Sequence, residues 1–165
     1  MEARQAPRSS AEGRPGRVGH VVCVRDMREH DVDRVAALEA ASFGSPWQAD
    51  TFRRLLGRAG AELMVVQIEE EVIAYAVLWC ILDQGELANI AVEEGWRGRG
   101  IGGRLMGHVL DRARERGVKD LFLEVRESNA VARELYARRG FQAIGVRRDY
   151  YDSPREDACV LRLGL

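Results

Sequence analysis

A glycine-rich run between two segments of different pattern most constrains the fold of this 165-residue chain. Residues 97–103 follow an apolar, strand-like stretch, residues 87–92, and lead into an amphipathic stretch, residues 101–116. A strand, a glycine-rich turn and a helix start in that order form an anion site, because glycine lets the backbone approach closely and the first helical N–H groups lack partners. Two arginines in the turn add charged donors. The run therefore predicts a phosphorylated ligand.

The same glycines fit more than one phosphate-binding pattern. Gly98, Gly100 and Gly103 satisfy the dinucleotide pattern G-x-G-x-x-G, and the acidic Glu124 follows about twenty residues later. In that pattern the first glycine ends the strand directly, whereas here five residues separate Val92 from Gly98. The preceding chain also reads as a meander rather than a strand–helix–strand unit. A Walker-type loop is excluded, because no Lys-Ser or Lys-Thr follows the glycines.

Hydrophobic periodicity predicts one α+β domain over residues 20–165, with a mixed, mostly antiparallel sheet flanked by helices. Strands are expected at residues 21–24, 63–68, 72–82, 86–92, 121–125, 143–147 and 158–163. Helices are expected from Asp31 to about residue 41, from Pro46, over residues 101–116, and from an Asn129 cap to Gly140. Because a helix separates residues 87–92 from 121–125, these two strands should pair in parallel.

The N-terminal leader, residues 1–19, has almost no large apolar residue and is predicted to be disordered. A net charge of −1 gives no general attraction to nucleic acid or to an anionic membrane, and no apolar run approaches the roughly 20 residues of a membrane span. Cys23, Cys80 and Cys159 are predicted to be reduced core residues of a cytoplasmic protein. No His or Cys stands at ligand spacing, so no metal is expected.

Four motifs in a fixed order resemble the GNAT acetyltransferases. The spacing Arg97-x-x-Gly100-x-Gly102 resembles the loop that binds the diphosphate of acetyl-CoA in that family. The other motifs are NIAV at residues 89–92, LEVRESNA at 123–130 with LYARRGF at 135–141, and YY at 150–151 followed by REDA at 155–158. Over residues 21–163 the chain is most similar to the bacterial ribosomal-protein-alanine N-acetyltransferases, the RimI family.

This resemblance implies a GNAT fold with a parallel strand pair at the cofactor cleft. It also implies transfer of an acetyl group from acetyl-CoA to the N-terminal amine of a protein, specifically the N-terminal alanine of a small-subunit ribosomal protein. The residues that it assigns to acetyl-CoA are Ile90, Ala91, Val92, Arg97, Gly98, Arg99, Gly100, Ile101, Gly102, Gly103 and Asn129.

Acyl transfer to an amine needs a base for the amine and a proton for the departing thiolate. Glu124 interrupts an apolar strand, where an unpaired carboxylate is costly; the alternative is a strand-end Glu that pairs with Arg126 or faces water. Tyr136 lies in an amphipathic helix, where the alternative role is at the edge of the core with its hydroxyl in water. The resemblance implies that Glu124 is the base and Tyr136 the acid.

Aromatic residues before the second helix and near the C-terminus are candidates for a peptide groove, or alternatively simple loop anchors. They are Phe43, Trp47, Tyr150 and Tyr151, together with Pro46. Two other functions stay open. One is acetylation of a lysine or a small-molecule amine on the same scaffold, and the other is a non-catalytic sensor that binds acetyl-CoA.

Overall fold

A computed structural model describes residues 21–165, and the predicted leader, residues 1–19, lies outside this range. Within it, the strands are β1 (Val22–Asp26), β2 (Ala61–Ile68), β3 (Glu71–Ile81), β4 (Gln84–Val92), β5 (Asp120–Arg126), β6 (Gln142–Asp152) and β7 (Arg155–Gly164). The α-helices are α1 (Val32–Ser42), α2 (Ala49–Leu55), α3 (Ile101–Glu115) and α4 (Ala130–Arg138). The strands form one sheet in the order β1-β2-β3-β4-β5-β7-β6.

The predicted α+β class and mixed sheet are confirmed. Each neighbouring pair of strands is antiparallel except β4 and β5, which are parallel. This parallel pairing is shorter than the sequence suggested, because it runs only from Gln84 opposite Asp120 to Leu87 opposite Leu123. The register between β3 and β4 shifts at the same level, where Leu78 pairs with Leu87 but Val77 pairs with Asn89. The bulge thus coincides with the end of the β4–β5 pairing, and bulges commonly bend the strand that carries them.

Helices cover both faces of the sheet. Alternate residues of a strand point to opposite faces, and the core accordingly divides into two clusters. On one face α3 contributes Leu105, Met106 and Val109, each fully buried, which confirms the predicted apolar stripe. On the other face α1 and α2 pack Val35 and Phe52 against β3. Burial of this apolar surface is the main term that stabilises the fold.

The predicted helix boundaries hold at α3 and α4. Gly117 follows α3 with a φ of 77°, and Asn129 caps α4 by accepting a hydrogen bond of 3.1 Å from the Ala132 amide. Asp31 does precede α1, but its carboxylate does not cap that helix. Instead it accepts hydrogen bonds from the Arg28 amide at 2.8 Å and from Arg25 at 2.7 Å.

The cysteine prediction is only partly correct. Cys159 is buried and Cys80 is half-buried, but Cys23 is exposed. Cys23 lies in β1, which is an edge strand of the sheet. A strand in that position presents alternate side chains to solvent, and the apolar residues around Cys23 hid this in the sequence.

Candidate active site

A cleft opens where β4 and β5 separate. Beyond Leu87 and Leu123 the two strands no longer pair, while β4 stays bonded to β3 on its other edge, with Ile90 opposite Ala76. Residues 88–92 therefore present backbone N–H and C=O groups to the cleft, where a ligand can pair with them. The predicted cofactor residues Ile90, Ala91 and Val92 lie on this segment.

The glycine-rich loop stands at the end of this segment and has the geometry of an anion site. Gly98 and Gly100 have φ values of 72° and 80°, which strain any residue with a Cβ. A Cβ at either position would meet no atom within 4 Å, so the loop faces open space. No side chain caps the start of α3, and its first-turn amides, beginning at Ile101, are available to an anion.

The two loop arginines also have structural contacts. Arg97 donates from Nε to the Val92 carbonyl at 2.9 Å, which ties the loop to the end of β4. The Arg99 guanidinium carbon lies 4.8 Å from the centre of the Trp96 ring. Both arginine side chains are exposed beside the loop, so each guanidinium keeps further N–H donors on the solvent side.

Gly102 and Gly103 have a different environment from the first two loop glycines. A Cβ on Gly102 would lie 3.8 Å from Leu135, and a Cβ on Gly103 would lie 3.4 Å from Arg139. Arg139 also donates a hydrogen bond to the Gly103 carbonyl. These contacts place Leu135, in the C-terminal half of α4, and Arg139, at its C-cap, against the first turn of α3.

Glu124 lies on β5, one residue beyond the last parallel pair. Its side chain is 17% exposed, and its Oε1 lies 2.9 Å from Nε of Arg147 on β6. The Tyr150 hydroxyl also hydrogen-bonds this carboxylate, which raises the pKa of Tyr150 to about 12. The alternative partner, Arg126, instead pairs with Glu156 at 3.2 Å. Glu124 is therefore a half-buried carboxylate with two partners from β6, the strand on the far side of β7.

An irregularity in β6 brings Tyr150 to Glu124. Arg147 pairs with Ala158 and Tyr151 with Glu156, so three residues of β6 stand opposite Asp157 alone. The Asp149 amide donates to Asp157 Oδ1 at 2.8 Å, which stabilises the bulge. Such bulges redirect side chains.

The second tyrosine of the pair also lies at this site. The Tyr151 ring is 5.0 Å from the Tyr150 ring, nearly perpendicular to it, and the Arg126 guanidinium carbon lies 4.1 Å from the Tyr151 ring centre. Burial raises the pKa of Tyr151, and the Glu124 carboxylate adds to that shift.

Tyr136 lies on α4 with only 5% of its surface exposed. Its ring is 5.6 Å from that of Phe141. Burial raises the pKa of its hydroxyl far above the usual range, and Tyr151 contributes to the shift. Glu124 acts on the pKa of Tyr151, and Tyr151 acts on the pKa of Tyr136, so Tyr151 lies within electrostatic range of both side chains. The Tyr136 phenol is therefore protonated at neutral pH, as a proton donor must be.

The predicted peptide-groove residues before α2 fall into two environments. Phe43 follows α1 and is 37% exposed, whereas the Trp47 ring packs against Phe52 at 5.8 Å. Between them, a Cβ on Gly44 would clash with the Ser153 carbonyl oxygen. The loop between α1 and α2 therefore touches the turn between β6 and β7, and Phe43 and the two tyrosines lie on segments that meet.

Two residues of this region were missed in the sequence. Arg147 has no local signal, because its contact with Glu124 depends on the sheet order and on the bulge. Glu39 did have one. It stands four residues after Val35 and seven after Val32, which puts a carboxylate on the apolar stripe of α1.

Among the described residues, no helix is long and apolar enough to span a membrane. The same part of the chain holds no group of three or more His, Cys, Asp or Glu residues placed to bind a metal ion.

Comparison with known proteins agrees with this architecture. Residues 32–141 match the acetyltransferase (GNAT) family. The chain is 36% identical over 139 residues to a Bacillus subtilis protein provisionally named a ribosomal protein bS18-alanine N-acetyltransferase, over 84% of this chain and 92% of the relative. It is 33% identical over 144 residues to the Escherichia coli ribosomal protein bS18-alanine N-acetyltransferase, over 86% and 97%.

The crystal structure of the Escherichia coli ribosomal-protein-S18-alanine N-acetyltransferase superposes with a TM-score of 0.80 at 31% identity, over 87% of this chain and 94% of that one. The family match spans most of the described residues, and the relatives are matched over nearly their whole length. The resemblance inferred from the motifs is confirmed, and the chain belongs to the GNAT family of acetyltransferases.

Proposed function

We propose that this chain transfers an acetyl group from acetyl-CoA to the N-terminal amine of a protein, and that the substrate is the N-terminal alanine of ribosomal protein bS18. Relatives with that activity in their names support the substrate, because they are 33–34% identical over at least 79% of this chain. The observation that carries the proposal is the position of Glu124. It is a half-buried carboxylate where β4 and β5 part, on the cleft that leads to the open start of α3.

The described residues fit acetyl-CoA as co-substrate. The open backbone at Gly98 and Gly100 and the uncapped first turn of α3 suit its phosphates, with Arg97 and Arg99 as additional donors. The backbone of Ile90, Ala91 and Val92 would pair with the pantetheine arm, and Asn129 would contribute a side-chain amide. When bound, acetyl-CoA supplies the activated acetyl thioester.

Glu124 and Tyr136 divide the proton transfers of this reaction. Glu124 accepts a proton from the substrate ammonium, so that the amine can act as a nucleophile, and Tyr136 holds a proton for the departing sulfur. An α-amine has a reference pKa of about 7.7–8.0 against about 10.4 for lysine, so one carboxylate suffices near neutral pH. Four aromatic residues would border the peptide, namely Phe43, Trp47, Tyr150 and Tyr151. Trp47 would also support the loop between α1 and α2 through its packing.

Mass spectrometry with acetyl-CoA and three acceptors tests the proposal. They are a peptide with the first residues of bS18, the same peptide blocked at its N-terminus and containing a lysine, and a small primary amine. We expect a single acetyl group on the α-amine of the first peptide. Acetylation of the lysine or the small amine alone would replace the proposal with the broader amine acetyltransferase, and binding of acetyl-CoA without turnover would indicate a sensor.

A further inference from the structure

Beneath the loop between α1 and α2 lies a carboxylate that the proposed reaction does not use. Glu39 of α1 is 1% exposed. It accepts hydrogen bonds from the Tyr75 hydroxyl on β3 and from Asn89 Nδ2 on β4, which lies 3.0 and 3.1 Å from its two oxygens. It also accepts from the backbone N–H of Trp47 at 3.0 Å. One side chain therefore connects two strands to the backbone of the loop.

All of these partners are neutral groups, so no positive charge offsets the free-energy cost of burying the Glu39 carboxylate. A buried carboxylate loses its hydration, and an apolar residue of similar volume often stabilises a core as well or better. The other buried glutamate has a conventional environment. Glu62 is 6% exposed and forms ion pairs with Arg112, at 2.6 Å, and with Arg116.

The contacts of Glu39 lead to both sides of the cleft. Trp47 belongs to residues 43–48, hereafter the entry loop, which begins with the exposed Phe43 and touches Ser153 through Gly44. Asn89 immediately precedes Ile90 on the segment of β4 that leaves β5. Glu39 thus joins the loop on the peptide side to the strand on the acetyl-donor side.

We propose that Glu39 is a positioning residue for the peptide substrate. Its carboxylate holds the entry loop at a fixed height over β4, so that the first residues of the peptide enter pointing toward Glu124. This inference rests on the proposed function. Glu39 itself touches neither the peptide nor the acetyl donor.

Steady-state kinetics of Glu39→Gln in the full chain tests this role. Glutamine keeps the volume but replaces one of the two oxygens with an NH₂ group, so a single oxygen remains for the donors that two oxygens now serve and the link is weakened. We expect the KM for an alanine-starting peptide to rise about tenfold, with the KM for acetyl-CoA unchanged and kcat altered less than about threefold. The milder Tyr75→Phe, which removes one donor, should change the same constant in the same direction, and it replaces Glu39→Gln if that variant does not fold.

Glu62→Gln is the matched control, because it neutralises the other buried glutamate, which lies away from the loop. It should lower the melting temperature and leave both KM values unchanged. An unchanged peptide KM in Glu39→Gln would overturn the proposal. So would an equal rise in the two KM values, or the same selective rise in Glu62→Gln.

Hydrogen exchange gives a second readout that needs no turnover. The Trp47 amide should exchange slowly in the wild type, and faster in Glu39→Gln or Tyr75→Phe but not in Glu62→Gln. Exchange at an unprotected rate in the wild type would overturn the anchoring role. This measurement also separates the two proposals, because a wild type that fails to acetylate the peptide contradicts the proposed function while the Trp47 amide still reports on the anchor.

Discussion

Arg147 forms an ion pair with the Glu124 carboxylate, which a substrate ammonium would have to reach. The Arg147 side chain is 60% exposed, so solvent screens its side of the ion pair and weakens the attraction. An incoming ammonium can therefore displace the guanidinium at little cost. The Tyr150 hydroxyl can remain as a donor to Glu124 when Arg147 leaves.

Glu124→Gln tests the base directly. It keeps shape and hydrogen bonding but removes basicity, so kcat should fall on the order of 10²-fold or more with little change in acetyl-CoA affinity. Part of the loss should be recovered at high pH, where the α-amine deprotonates unaided. Asp120→Asn on the same strand, which removes an ion pair with Arg162, is the control and should retain the wild-type rate. A wild-type rate for Glu124→Gln would leave Glu124 as a structural strand residue.

Tyr136→Phe removes only a hydroxyl from a residue that is 5% exposed. Because burial raises the pKa of that hydroxyl, it stays protonated across the assay range, and its loss should lower kcat on the order of 10²-fold at every pH up to about 9. Stopped assays of the purified, folded variant would measure kcat at each pH. If kcat is unchanged, Tyr136 is only a core-edge residue and another group protonates the sulfur.

Two strand irregularities shape the cleft. The one in β4 lies where the cleft opens, and the one in β6 places a side chain in it. The bulge in β4 coincides with the end of its pairing to β5, and the bulge in β6 brings Tyr150 to Glu124. Regular strands at these positions would close the sheet and point the tyrosine elsewhere. The geometry of this candidate site depends on departures from ideal β structure, and bulges are common near active sites.

The exposed arginines of the loop before α3 are predicted to contribute to acetyl-CoA binding. Reversing the charges of Arg97 and Arg99 together should weaken acetyl-CoA binding on the order of tenfold or more, because two donors near phosphates become repulsive carboxylates. Isothermal titration calorimetry measures the dissociation constant. The double variant Arg114→Glu with Arg138→Glu makes the same change in net charge on α3 and α4, at exposed positions, and should bind normally.

An unchanged dissociation constant in the folded Arg97/Arg99 variant would remove the phosphate assignment from this loop. A wild type that prefers NAD to coenzyme A would instead restore the dinucleotide interpretation.

An ion pair outside the cleft, between Asp31 and Arg25, is expected to make the stability of the whole molecule depend on pH. Asp31 is 4% exposed, and its hydrogen bond to Arg25 lowers the pKa of its carboxyl. A lowered pKa in the folded state means that the stabilisation is present above the unfolded value and is lost as pH falls through the folded one.

Asp31→Asn should therefore lower the free energy of unfolding by about 1–2 kcal/mol at neutral pH. The difference from the wild type should shrink below about pH 4. Urea melts from pH 2.5 to 7 would measure it. A constant difference over that range would mean that the ion pair does not set the acid sensitivity.

Local signals were sufficient to predict the order and type of the elements. The apolar stripe of α3, the Asn129 cap and the stop at Gly117 each depend on neighbours within a few residues, and each was correctly predicted. The parallel pairing of β4 and β5 followed from the intervening helix, because connection length limits strand direction. The glycine loop could be located for the same reason.

Contacts between distant segments could not be predicted in this way. Glu124 pairs with Arg147 rather than with its sequence neighbour Arg126, because β7 inserts between β5 and β6 and a bulge then redirects β6. Glu39 meets Asn89 and the Trp47 amide only once α1 packs on the sheet. Residue type and spacing determine which groups the chain carries and on which element they lie. Sheet order and register determine which of those groups touch, because order and register arise from packing of the whole chain.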